Sequence, residues 1–103
     1  MAVVMVDRLG EFVWQVPDEV LGRVLDYVMR KVDPTSPFHD LLHAAKMYGK
    51  LELFQLSEEK QANFEKLVGE CYEQQVAELG DNEETKKVKQ LVDLMVFSRE
   101  FAV

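Results

Sequence analysis

The sequence predicts an all-α protein, a four-helix bundle-like single domain spanning 1–103. Its helices are expected over about 17–32, 37–48, 58–79 and 83–101, after an N-terminal short helix or β-hairpin. Three observations predict this. Val20, Leu21, Val24, Leu25, Tyr27, Val28, Met29 and Val32 recur at helical spacing and cover about 200° of a helix circumference. Helix punctuation recurs down the chain, with Pro17, Asp33-Pro34, Ser36-Pro37, Gly49, Ser57 and Gly80 each standing at the edge of an apolar-periodic segment. No repeat, low-complexity tract or interior linker divides the 103 residues, a length that buries a core without disulfides or metals.

Residues 1–16 admit two readings. Leu9, Phe12, Val13 and Val16 fall at i, i+3, i+4 and i+7, the period of a short helix. The alternative is a hairpin with strands at 3–6 and 11–16 and a type I turn over 7–10, with Asp7 first and Gly10 fourth. Phe12, Trp14 and Val16 would then share one strand face. The helix is preferred, because a lone hairpin needs something to pack on. Either way Trp14 is expected to be a packing residue.

The helix at 17–32 is the expected centre of the molecule, because its apolar stripe leaves only Glu19, Gly22, Arg23, Asp26 and Arg30 on a narrow polar face. Pro17 suits the first helical position. Asp18 and Glu19 in the first turn and Arg30 and Lys31 in the last complement the helix dipole, and Asp33-Pro34 stops the helix. Ser36 is the expected N-cap of the second helix, with Pro37 at its first position and Gly49 as C-cap. Phe38, Leu41, Leu42, Ala45 and Tyr48 form its expected buried stripe. Leu51, Leu53, Phe54 and Leu56 are too apolar for a free loop and read as an irregular or 3₁₀ connection, with a short strand as the alternative. Ser57-Glu58-Glu59 opens the third helix, whose stripe is Phe64, Leu67, Val68, Cys71, Tyr72, Val76 and Leu79, with Gln75 projecting into it. Asp81 or Asn82 caps the fourth, which buries Val88, Leu91, Val92, Met95 and Val96.

Charge is unevenly placed. Between Ser57 and Glu84 stand nine acids and two bases, so this stretch alone accounts for the net −7, and the remainder, with ten of each, is neutral. A phosphate backbone or an anionic lipid surface is repelled by such a stretch, so nucleic acid and membrane are not expected partners. No apolar run approaches the roughly 20 residues that span a bilayer, and Met1–Val6 lacks the basic start and small-residue cleavage pattern of a signal peptide. The single Cys71 cannot form an internal disulfide, which points to a reducing compartment such as the cytoplasm.

No phosphate-binding glycine loop, nucleophile elbow or paired-cysteine pattern is present, so no enzyme activity and no cofactor are expected. His39 and His43 are spaced i, i+4 and can reach one metal from one helix face, but Lys46 and Lys50 share that side and the spacing supplies no third ligand. Cys71, central in an apolar stripe, reads as a small hydrophobe. Gln75 must find a core partner or lie in an interface. Leu94, Phe97 and Phe101 form a second apolar stripe on the last helix, covered by the N-terminal segment or by a second molecule. A homodimer is the simplest such assembly. The function expected from these features is that of a small acidic protein–protein interaction module: a regulator, adaptor or inhibitor, the immunity type included. It would use Glu70 and Glu73 to steer a basic partner and Leu94, Phe97 and Phe101 for apolar contact. The rival is a metal-binding protein built on His39 and His43, and a third alternative is a structural subunit of a homo-oligomer.

Overall fold

The computed structural model describes residues 1–101. It corrects the all-α expectation, because four helices are joined by a three-stranded mixed sheet. The elements are β1 (Ala2–Met5), β2 (Val13–Val16), α1 (Asp18–Arg30), α2 (Pro37–Tyr48), β3 (Lys50–Glu52), a 3₁₀ turn (Leu53–Gln55), α3 (Glu58–Leu79) and α4 (Glu83–Phe101).

The N-terminal segment is the hairpin, not the helix. Leu9, which the helical period would bury, is 82% exposed. Asp7 organises the turn: its carboxylate accepts the backbone N–H of Phe12 at 2.7 Å and of Glu11 at 3.2 Å. Gly10 donates back to the Asp7 carbonyl from a positive φ of 75°. A hairpin alone is marginal, but this one gains a third strand. β1 is central, antiparallel to β2 with Val4 opposite Trp14, and parallel to β3 with Val4 opposite Leu51. Period-two alternation sends Ala2, Val4, Val6, Trp14, Val16 and Leu51 into the core, while Val3, Met5 and Val13 remain half-buried on the other face. The Trp14 indole donates to the Lys87 carbonyl of α4 at 2.7 Å, which satisfies its one polar atom and fastens β2 to the last helix.

The helix boundaries agree with their caps. Ser36 Oγ accepts from His39 N, and Ser57 Oγ accepts from Lys60 N. Gly49 ends α2 in the left-handed region at φ 70° and its carbonyl accepts from Val3 N at 2.9 Å, so one glycine both stops a helix and starts the β1–β3 pairing. α1 is shorter than expected. Pro17 is its N-cap rather than its first residue, and α1 ends at Arg30. Asn82 caps α4 reciprocally with Thr85. Each donates its backbone N–H to the other's side-chain oxygen, at 2.8 and 2.9 Å, and Thr85 is fully buried.

α1 packs against both α2 and α3, and α3 packs against α4, which gives α1 its central place. Its stripe is buried at Val20, Leu21, Val24, Leu25 and Val28 and half-buried at Tyr27, Met29 and Val32. These side chains join Phe38, Leu42, Phe64, Val68, Cys71, Val88, Leu91 and the inner sheet face in one core. Val76 and Val96 are half-buried outside this core, and three other expected core residues are exposed. Leu41, Tyr48 and Leu79 are 38%, 81% and 64% exposed, because β3 and the 3₁₀ turn leave one flank of α2 open and Leu79 lies in the last turn of α3.

Candidate functional site: a polar cleft, an acidic helix and an apolar pocket

The narrow polar face of α1 forms the floor of a cleft of about 700 Å³ walled by α2 and the second half of α3. Arg23, Asp26 and Arg30 come from α1, His39, His43 and Lys46 from α2, Cys71, Gln74, Gln75 and Glu78 from α3, and Glu84 from the start of α4. Most of its charge is already paired. Arg23 makes a two-pronged pair with Glu84, a hydrogen-bonded arrangement that raises the Arg23 pKa further, and Lys46 Nζ lies 2.6 Å from Asp26 Oδ1. Among the described residues, Arg30 has no carboxylate within 4.0 Å. It stacks with Lys31 on the Tyr27 ring, at 5.7 and 5.5 Å from the centroid.

His39 and His43 line one cavity with Lys46, whereas Lys50, expected on the same side, does not line it and lies beside Glu52 on β3. Among the described residues, no group of three or more His, Cys, Asp or Glu side chains is close enough to hold a metal ion. Cys71 is buried, and burial pushes its thiol up to about 11, the opposite of what a nucleophile needs. Gln75 is half-buried. Its amide nitrogen donates to Cys71 Sγ at 3.6 Å, and its Oε1 is buried without a partner.

The acidic stretch occupies α3 and the start of α4. Of its nine carboxylates, Glu65, Glu83 and Glu84 have a cation within 4.0 Å, and the other six, Glu58, Glu59, Glu70, Glu73, Glu78 and Asp81, have none among the described residues. All six except the half-buried Glu70 are exposed. Glu70 and Glu73 stand near the Tyr27 phenol. Desolvation first, then the negative charge of Glu70 and Glu73, raises that phenol's pKa, with Arg30 opposing.

On α4, Leu94 is half-buried against the core and Phe97 is 48% exposed. The side chain of Phe101 lies outside the described part. β2 meets α4 through Trp14 at Lys87, near the start of that helix.

A second cavity, of about 430 Å³, lies where α3 begins and α4 ends. Val6, Leu53, Ala62 and Met95 give it apolar walls, and Glu58, Gln61, Glu65, Ser98 and Arg99 give it a polar side. Arg99 holds Glu65 Oε2 in an ion pair, while Glu65 Oε1 is buried and meets no donor. The two orphaned oxygens of the described residues, on Gln75 and Glu65, thus belong to residues that line the two cavities. Single-residue inspection found Gln75. It missed Glu65, which reads locally as one more surface glutamate.

No helix of the described residues is long and apolar enough to cross a membrane. Compared with protein-family models, with curated proteins and with solved structures, the chain matches none.

Proposed function

We propose that the protein is a small interaction module that captures a basic segment of a partner protein on α3, acting as a regulator, adaptor or inhibitor in a reducing compartment. The observation that carries this reading is the set of six carboxylates on and just beyond α3 with no cation partner among the described residues. Unpaired like charges on one helix repel one another, and opposite charge on a partner relieves that repulsion. Complementary charge of this kind raises association rates and excludes wrong partners more than it adds raw affinity. Apolar contact comes from Phe97, half-exposed on α4, with Leu94 beside it in the stripe.

The test uses a lysine-rich peptide as probe. Glu70→Lys combined with Glu73→Lys is expected to slow its association about tenfold or more at low salt, and raising the salt is expected to slow the unmodified protein in the same direction. An association rate that neither the substitutions nor salt alters would refute the reading.

A further inference from the structure

The pocket between the first half of α3 and the end of α4 carries more information than an acidic surface does. Its walls at Val6, Leu53, Ala62 and Met95 are apolar. Its polar side holds two carboxylates, Glu58 and Glu65, against one cation, Arg99. One negative charge is therefore uncompensated there. The Glu65 carboxylate is used on one side only, with Oε2 paired to Arg99 and Oε1 shut away from water with no donor. A carboxylate oxygen in that position lacks both solvation and a hydrogen bond, a costly arrangement that a donor would relieve.

We infer that this pocket accepts the side chain of a lysine from the basic partner, its aliphatic stem along Val6, Leu53, Ala62 and Met95 and its ammonium on Glu65. The inference rests on the proposed function for the source of the lysine, and it assigns that partner its anchor point. Three features select the ligand. The walls suit a methylene chain, because lysine buries its stem while keeping its charged end at a polar group. The uncompensated charge calls for a cation. One free carboxylate oxygen, rather than two, favours a compact ammonium over a guanidinium fork, which pairs best with both oxygens of one carboxylate. For the ammonium to reach it, the Glu65 carboxylate turns about its soft terminal torsion, which moves both oxygens and shifts the Arg99 contact with them.

The probe is n-butylammonium, which reproduces the stem and charge of lysine, compared with n-butanol, which keeps the stem and removes the charge. Binding to the full chain is followed by the NMR signals of Ala62, Met95 and Val6. Butylammonium is expected to shift these signals with an affinity at least about fivefold above that of butanol. Glu65→Gln, which keeps the shape of the side chain, is expected to reduce the difference to less than about twofold. Glu58→Gln, at an exposed position, is expected to weaken butylammonium about twofold without disturbing packing. Equal binding of the two probes would overturn the inference, as would an unshifted pocket or full butylammonium affinity in both variants. Glu70→Lys with Glu73→Lys separates the two proposals, because these residues do not line the pocket. Loss of peptide steering in that variant with butylammonium binding intact supports both proposals. Butylammonium binding in a protein whose peptide association ignores charge removes the acidic docking surface and leaves the pocket.

Discussion

Cys71 shows how a single residue reports on its surroundings. Its thiol sits in the α1–α3 contact with Gln75 as its one polar neighbour within bonding distance, and burial raises its pKa from the ordinary 9.0 to about 11. The unfolded chain sheds this proton from about pH 9, while the folded chain keeps it until near 11. Stability contributed by the buried thiol is therefore complete below pH 9 and declines as pH rises toward 11. Denaturant midpoints measured across that window should fall less in Cys71→Ala than in the unmodified protein, and parallel curves would contradict the assignment. The buried, inert character of this cysteine was legible in the sequence because a helical stripe identifies its own centre. The partnerless Glu65 oxygen was not legible, because nothing in Phe64-Glu65-Lys66 says that Arg99, from another helix, will take one oxygen and leave the other sealed.

At the scale of the elements, chemistry local to the chain was readable and chemistry between distant segments was not. Ser36, Ser57, Gly49 and Gly80 mark α2 and α3 to the residue, since caps act within one turn of the backbone they satisfy. The full sheet escaped because β3 is three residues long and pairs in parallel with β1, far upstream at the start of the chain, an arrangement with no local signature. Leu9, Phe12, Val13 and Val16 then offered a helical period by coincidence, and the exposure of Leu9 exposes it as such. Gly49 is where these two elements meet. A Cβ placed there lies 3.5 Å from Asp18 Oδ1 and 3.9 Å from the Ala2 Cα, at φ 70°. Gly49→Ala is therefore expected to cost about 1–2 kcal/mol through left-handed strain. Gly69→Ala, inside α3 with nothing within 4 Å of the new Cβ, is expected to gain up to about 1 kcal/mol from helix propensity. Chemical denaturation of the pair checks both signs, and a stabilised Gly49→Ala would show that the α2–β3 junction is misplaced.

For the molecule as a whole, charge and shape divide the surface into unlike regions. The cleft over α1 gathers residues that the sequence presents separately, namely the polar face of the central helix, the His39/His43 face and Gln75, and neutralises most of their charge internally through Arg23–Glu84 and Lys46–Asp26. α3 and the turn after it do the opposite, keeping six carboxylates without a cation partner among the described residues. The charge asymmetry was visible from composition alone. Its division into a self-neutralised cleft and an uncompensated helix required the fold. The most direct test of the interaction reading is an NMR titration of the full chain with the lysine-rich peptide at low salt, read amide by amide. The account predicts perturbations running along α3 from Glu58 to Glu78 and reaching the Met95–Arg99 turn of α4. Perturbations confined to the cleft around His39 and His43, or none at all, would contradict it.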